Sequence, residues 1–150
     1  VRLLYTGGHA DNPEFFDLLQ QNDAHVVSDN TGFGTRAADV LIREDGDPLE
    51  AIIDYYFEEK PAATRQMGTQ VERMERLLDL VKQYKADGVV ASRLYMCDLW
   101  AFEHFLMRQR LHENNVPFLE LEVDYTPEGQ GQIKTRVQAF VESLADRQTA

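Results

Sequence analysis

The sequence predicts an α/β fold, a three-layer α/β/α domain with helices on both faces of a four-stranded parallel sheet. Three observations lead to this prediction. Short apolar runs alternate with longer helical stretches along the chain, and this alternation is typical of βαβ units. Within the longer stretches the apolar residues recur at steps of three and four, which is the helical period. The 150 residues, of which 43% are apolar, are the size of one ordinary domain, predicted to span residues 1–150.

The first strand is predicted at residues 2–6, where an apolar run opens the chain. Asn12 is a good helix-capping residue and Pro13 fits a first helical turn, so a helix should follow and end at about residue 22. The second strand is predicted at residues 25–28.

The middle of the chain is predicted to be mainly helical. A short helix is expected at residues 37–43, a turn at residues 45–48 and a further helical stretch at residues 49–57. A longer helix is expected at residues 66–85, because its apolar residues fall three and four positions apart. They are Met67, Val71, Met74, Leu77, Leu78 and Val81. Any helix that covers a sheet needs such a stripe, so the spacing favours core packing over a cofactor-binding motif.

The last part of the chain is predicted to add two more strands and two more helices. The third strand is expected at residues 87–91 and the helix after it at residues 98–113. The fourth strand is expected at residues 117–123 and the last helix at about residues 131–145. Strands and helices that alternate in this way predict a Rossmann-like or flavodoxin-like fold.

Ligands of open parallel sheets bind at the carboxyl ends of the strands. The loops of interest are therefore residues 6–11, 29–36, 92–98 and 124–132. The G-x-G at residues 129–131 lacks the rest of the dinucleotide fingerprint, and residues 6–9 do not match a phosphate-binding loop, which disfavours nicotinamide or nucleotide binding of the usual kind. His9 lies in the first loop, whereas His104 and His112 lie within a helix as surface or packing residues.

The composition excludes several classes of protein. The net charge is -11, with 26 acidic residues against 15 basic ones, so the chain should repel a nucleic-acid backbone. No apolar run approaches the ~20 residues of a membrane helix. The single cysteine cannot form an internal disulfide, which disfavours a secreted scaffold. We therefore expect a cytoplasmic protein that binds neither nucleic acid nor membrane.

Cys97 is the first candidate for a site residue, because it directly precedes Asp98, a good helix-capping residue. A sulfur near the positive end of a helix is favoured as thiolate, the form that metals bind, and Arg93 could add positive charge. The alternative is that a lone cysteine is a small buried apolar residue. One cysteine also cannot hold a four-iron cluster, which needs about three or four ligands.

The fourth strand places three carboxylates on one face. Because side chains alternate along a strand, Glu120, Glu122 and Asp124 point away from their apolar neighbours. An edge strand with a solvated face would read in the same way, and this alternative is open above all for Glu120. Glu122 and Asp124 lie closer to the ligand edge, so they are the candidates for a catalytic or polar-network role.

Four segments resemble one known family. They are residues 87–90, 94–98, 117–125 and 131–140, which carry the strand, Cys-Asp, Glu-x-Asp-Tyr and Gly-Gln-x-x-Thr-Arg elements in order. Their order and spacing resemble the C-terminal domain of 2-hydroxyacyl-CoA dehydratase and benzoyl-CoA reductase subunits. The resemblance implies that the chain is the C-terminal domain of a longer subunit and is inactive alone.

The resemblance also implies a cofactor. In this family a 4Fe-4S cluster is bound by three cysteines, two of them from more N-terminal domains, and Cys97 matches the third. Glu122 and Asp124 are then expected to be catalytic. Arg93, Gln132 and Arg136 are expected to bind the cofactor. The loop at residues 31–34 has no cysteine where some relatives have one, so its role stays open.

Partners and reaction follow from the same resemblance. An ATP-dependent activator protein would deliver an electron to a pair of related subunits, and the cluster would pass it to an acyl-CoA thioester substrate. Radical dehydration of a 2-hydroxyacyl-CoA is the expected reaction. The alternatives are a benzoyl-CoA reductase or other iron–sulfur reductase subunit, and a non-catalytic module for subunit pairing.

Overall fold

The structure, a computed structural model, describes residues 1–8, 12–124 and 130–149. Four strands are Arg2–Gly7 (β1), His25–Asn30 (β2), Gly88–Leu94 (β3) and Phe118–Val123 (β4). Six α-helices are Pro13–Leu19 (α1), Thr35–Ala38 (α2), Pro48–Asp54 (α3), Gln70–Gln83 (α4), Asp98–Glu113 (α5) and Gln130–Thr149 (α6). A π-helical turn, Tyr55–Glu59, directly follows α3.

The strands form one sheet in the order β2-β1-β3-β4, and all three pairings are parallel. Chain order therefore reverses between β1 and β3, which is the position where open α/β sheets form a crevice at their carboxyl edge. The predicted four-stranded parallel sheet is confirmed.

Each face of the sheet has its own apolar core. On one face, Leu4, Val89 and Ala91 pack with buried residues of α4 and α5. On the other face, Leu3, Tyr5, Val90 and Leu121 pack with residues of α1 and α6. Two helical layers thus enclose the sheet, and the predicted three-layer α/β/α architecture is confirmed. Within the described residues, no helix combines the length and apolar character needed to cross a bilayer.

The long middle helix starts later than predicted. Met67 and Val71 were expected in its buried stripe, but both are exposed and α4 begins only at Gln70. Gly68 has a φ of +81°, a left-handed conformation that helices do not continue through. The remaining stripe residues, from Met74 to Val81, are buried as predicted.

A buried ion pair fixes α4 against α5. Arg73 Nε and Nη2 donate to the two carboxylate oxygens of Glu103, each at 2.8 Å. The side chains of Arg73 and Glu103 are only 7% and 3% exposed. Arg73 Nη1 also donates to the carbonyls of Ala63 and Gln66, both at 3.2 Å. One guanidinium therefore positions both α5 and the loop that precedes α4.

Candidate functional site

The end of β1 meets β3 and the start of α5 at the crevice of the sheet. Gly8 N donates to Ser92 O at 2.7 Å. Gly7 has a φ of +125°, and a Cβ built on it would lie 2.1 Å from Ser92 O. Only glycine allows this approach. A Cβ on Gly8 would lie 3.7 Å from the indole of Trp100, in the first turn of α5, so these three segments form one packed rim.

Cys97 lies at this rim. It is the N-cap residue of α5, whereas the sequence had suggested Asp98 for that role. Its N–H donates to Leu94 O at 3.1 Å, and its carbonyl accepts from Ala101 N at 2.9 Å. The side chain makes no capping hydrogen bond and is half-buried. Cys97 thus lies at the positive end of a 16-residue helix, a position where anions are favoured.

Large apolar side chains surround Cys97 in the chain and remain exposed. They are Tyr95, Met96, Leu99, Phe102 and Phe105. Exposed apolar clusters of this kind mark surfaces that other protein parts cover. The rim around the thiol therefore has the character of an interface.

Cys97 does not belong to a closed metal site within the described residues. No group of three or more His, Cys, Asp or Glu side chains in this part of the chain is arranged to hold a metal ion. A four-iron cluster needs about three or four ligands. The donor set present here fits one ligand of such a cluster and does not fit a complete site.

A second group of polar residues lies on β4, around Glu120. Its carboxylate is 21% exposed and accepts from Arg93 Nε at 3.3 Å and from Arg108 Nη2. His104 Nδ1 lies 3.4 Å from Oε1 of Glu120, an electrostatic contact rather than an aligned hydrogen bond. Although β4 is the outer strand of the described sheet, Glu120 faces arginines rather than bulk water. The solvated-face alternative is therefore wrong for this residue.

In this cluster the surroundings favour the charged form of Glu120 and the neutral form of His104. Burial alone would raise the pKa of Glu120, but hydrogen bonds from Arg108 and Arg93 outweigh burial and lower that pKa. Burial lowers the pKa of His104 and outweighs the opposing attraction of Glu120. The His104 ring is fully buried and packs edge-on against Trp100 and Phe118. Glu120 is thus ionised and His104 neutral near pH 7.

Three of the predicted site residues join this cluster. Arg93 Nη2 pairs with Glu122, and Arg136 Nη2 donates to the main-chain carbonyl of Glu120 at 2.7 Å. Together with Glu120 and Arg108, they line an open groove of about 700 Å³ beside β4. We call this the β4 groove; its other lining residues are His112, Asn115, Val116, Pro117, Phe118 and Arg147.

The other predicted residues are placed differently. Cys97 and Gln132 are not among the described residues that line the β4 groove. Gln132 is exposed near the start of α6, and Asp124 is exposed directly after β4. Two further predictions fall outside the described residues. One is His9, and the other is the part of the loop at residues 124–132 that comprises residues 125–129.

The loop after β2 is organised by a residue that sequence reasoning missed. The Asp29 carboxylate accepts from the N–H and hydroxyl groups of both Thr31 and Thr35. Burial alone would raise the pKa of Asp29, but these hydrogen bonds outweigh it and lower the pKa. A Cβ on Gly34 would lie 2.0 Å from Asp29 Oδ1. The sequence pattern Asp-x-Thr-x-x-x-Thr could have indicated this arrangement, since an aspartate side chain commonly accepts a hydrogen bond from the N–H group two residues further along the chain.

Comparison with known proteins shows which family this chain matches. Residues 1–144 match the family model described as 2-hydroxyglutaryl-CoA dehydratase, D-component. The chain is 29% identical over 127 residues to YjiM of Escherichia coli (strain K12), provisionally named a dehydratase subunit, covering 84% of this chain and 32% of that protein. It is 24% identical over 147 residues to the (R)-phenyllactyl-CoA dehydratase beta subunit of Clostridium sporogenes, covering 95% and 38%.

A further relative carries the enzyme name that the family model also carries. The chain is 24% identical over 140 residues to the beta subunit of (R)-2-hydroxyglutaryl-CoA dehydratase from Acidaminococcus fermentans, covering 88% of this chain and 36% of that protein. The chain thus spans about a third of the length of the curated relatives it matches. Because the family model covers nearly the whole chain, this protein belongs to the 2-hydroxyglutaryl-CoA dehydratase D-component family, one of the 2-hydroxyacyl-CoA dehydratases.

Proposed function

We propose that this chain forms one domain of a 2-hydroxyacyl-CoA dehydratase subunit and supplies Cys97 as one ligand of a 4Fe-4S cluster. The remaining ligands would come from residues outside residues 1–150. The observation that carries the proposal is the position of Cys97 at the N-terminus of α5, on the carboxyl edge of the sheet, with its thiol not engaged in capping.

The surroundings of Cys97 support this role. A thiolate ligand is an anion, and the N-terminus of a helix stabilises anions. The exposed apolar side chains around it, such as Met96 and Phe102, would exclude water once another domain covers them. A rim that is both anion-stabilising and apolar suits a shared cluster better than a free thiol.

The reaction would remove water from the substrate. When bound, the cluster supplies single electrons to the thioester, and the net change is loss of the C2 hydroxyl and a C3 hydrogen as water, with no net oxidation or reduction. This chain would provide the ligand and proton-handling groups near the carboxyl edge. Glu122, held by Arg93, and Asp124 are proposed to move protons. Gln132, near the start of α6, is proposed as a hydrogen-bond donor to the bound groups.

The proposed partners are a related second subunit and an ATP-dependent activator. Three of the relatives are named as beta subunits, which supports pairing with another subunit. The activator follows from the family resemblance and from the need for an electron donor.

The test is the iron content of the complete subunit that contains this chain, purified with its partner subunit without oxygen and reconstituted with iron and sulfide. We expect Cys97→Ser to lose the cluster absorbance and its iron. A matched control adds Ser143→Cys, on the exposed side of α6, to the Cys97→Ser variant. This control keeps one thiol in the chain and should not restore the iron.

Unchanged iron content in Cys97→Ser would refute the ligand assignment. Normal subunit pairing without any cluster in the unaltered protein would assign the chain to a non-catalytic pairing module instead.

A further inference from the structure

The β4 groove concentrates positive charge in an acidic protein. Among the described residues, four arginines and two carboxylates line it. The arginines are Arg93, Arg108, Arg136 and Arg147, and the carboxylates are Glu120 and Glu122. The chain as a whole carries a net charge of -11. A surplus of guanidinium groups in one groove of such a protein indicates a ligand or partner with negative charge.

Salt bridges hold two of these arginines in place before any ligand arrives. Glu120 binds both Arg93 and Arg108, and Glu122 also binds Arg93. Guanidinium groups that are fixed in this way lose little conformational entropy when they bind an anion. Arg147, in the last turn of α6, and Arg136 add exposed guanidinium groups on the opposite wall.

The strand itself offers main-chain hydrogen-bonding groups to the groove. Val89 N donates to Pro117 O at 2.9 Å, and Tyr95 N donates to Val123 O at 3.0 Å. Pro117 and Val123 thus face β3, as do the residues at every second position between them, so Phe118, Glu120 and Glu122 turn their main-chain groups toward the groove. Arg136 already donates to one of them, the carbonyl of Glu120.

The groove therefore combines two kinds of recognition. Arginines bind phosphate oxygens, often through two parallel hydrogen bonds. An outer strand binds amide groups of an extended ligand through its main chain. The volume of about 700 Å³ falls within the range of roughly 300–1,000 Å³ that is typical of small-molecule sites.

We propose that the β4 groove binds the phosphate and pantetheine portion of a CoA thioester. The phosphates would lie toward Arg108 and Arg147, the two amides of the pantetheine arm along β4, and the thioester toward Arg93. Arg93 is the second-last residue of β3, at the carboxyl edge that also carries Cys97. The choice of CoA rests on the proposed function, whereas the recognition of an anionic, amide-bearing ligand rests on the groove.

Calorimetric titration of the purified chain, without iron, tests this proposal. The ligands are CoA, 3′-phospho-ADP, pantetheine and inorganic pyrophosphate. We expect CoA to bind more tightly than pyrophosphate or pantetheine, and more weakly as salt is added. The double variant Arg108→Gln/Arg147→Gln should weaken CoA binding by about tenfold or more.

The matched control is Arg110→Gln. Arg110 is on the same helix as Arg108 but pairs with Glu113 and does not line the groove, so its loss removes one charge without removing a proposed contact. The single variant Arg147→Gln leaves the Glu120 cluster intact and keeps the test valid if Arg108→Gln disturbs folding.

Three results would overturn the proposal. They are no binding of CoA to the folded chain, equal weakening by Arg110→Gln, and binding of pyrophosphate as tight as that of CoA. Because the titration involves no iron, its outcome is independent of the cluster test. If CoA still binds to the Cys97→Ser variant, the CoA site in the β4 groove is separate from the role of Cys97 as a cluster ligand.

Discussion

Glu120 connects three elements through one carboxylate. It lies on β4 and binds Arg93 of β3 and Arg108 of α5, while its own main-chain carbonyl accepts from Arg136 of α6. The ring of His104 lies beneath it. Glu120 therefore stabilises the outer side of the sheet and also sets the shape of the β4 groove.

The substitution Glu120→Gln should destabilise the fold by about 1–3 kcal/mol, because it removes the negative charge that Arg93 and Arg108 share and replaces one acceptor oxygen by an NH2 group that cannot accept from them. Urea unfolding measures the change. The control Glu113→Gln removes a more exposed carboxylate that pairs with Arg110, and it should cost less than about 1 kcal/mol. Equal losses in the two variants would contradict a special role for Glu120.

His104 should make stability depend on pH. Its pKa in the folded state is lowered from 6.5 by burial, so the unfolded chain binds a proton more readily than the folded chain does. Its contribution is complete above pH 6.5 and is lost as pH falls toward the lowered pKa. Urea midpoints measured down to about pH 5 test this, and His104→Gln should flatten the profile.

Two carboxylates act in a different pH range, which separates their effect from that of His104. The pKa values of Asp29 and Glu120 are lowered from 3.8 and 4.5. Their contributions are present above those unfolded-state values and are lost as pH falls below them. A profile for His104→Gln that is as steep as that of the unaltered protein above pH 5 would contradict the assignment to histidine.

At the scale of elements, the position of α5 depends on the buried pair of Arg73 and Glu103. Breaking such a pair from one side leaves an uncompensated buried charge, so Glu103→Leu should destabilise the fold by about 3–5 kcal/mol. The double variant Arg73→Met/Glu103→Leu should recover much of this loss, because it removes both charges. Thermal unfolding of both variants is the measurement, and a double variant less stable than Glu103→Leu would contradict this account.

The sequence predicted individual elements to different degrees. The bounds of α5 were predicted at residues 98–113 and are confirmed, because a polar start and paired asparagines enclose its helical pattern. The early start predicted for α4 was wrong, because apolar spacing continued through Gly68 although its left-handed backbone ends any helix there. Periodicity records which residues are apolar but not where the backbone turns.

The cluster around Glu120 lay beyond sequence reasoning for a physical reason. Arg108 and Arg93 lie 12 and 27 residues from Glu120 along the chain, and Arg93 comes close to Glu120 because Ala91 pairs with Glu120 in the sheet register. The rotation of α5 then turns His104 and Arg108, one helical turn apart, toward β4. The alternation of side chains along β4 predicts that Glu120 and Glu122 lie on one face. The partners of Glu120 depend instead on the strand register and on the rotation of α5 about its axis.

On the scale of the whole molecule, the exposed large apolar side chains among the described residues fall into two segments. One is residues 33–71 and the other is residues 95–105. The second includes the rim around Cys97. Both should promote association of the isolated chain, since exposed apolar surface favours contact with another protein.

The double variant Phe57→Ser/Phe102→Ser should therefore remain monomeric at higher concentration than the unaltered chain. Both side chains are exposed, so the free energy of unfolding should change by less than about 0.5 kcal/mol. Sedimentation velocity measures the association. The control Phe16→Ser instead removes a half-buried side chain from the core between the sheet and helices α1 and α6, and it should lower the free energy of unfolding. Unchanged association in the double variant would refute this role of the apolar surface.

The fold class was predictable because it depends on features that repeat along the chain. Alternating strands and helices require a parallel sheet with helices on both faces, and the observed order β2-β1-β3-β4 fulfils this requirement. The proposed site was less predictable, because Cys97 is a single residue whose proposed role came from its place in a family pattern rather than from a repeat.

Cys97 is the one cysteine in the sequence, and its half-buried thiol lies at the rim. In a sample of residues 1–150, a fluorescent or spin label attached to that sulfur would therefore report from a single known place. Such a probe would follow, in real time, the docking of a protein part against the rim.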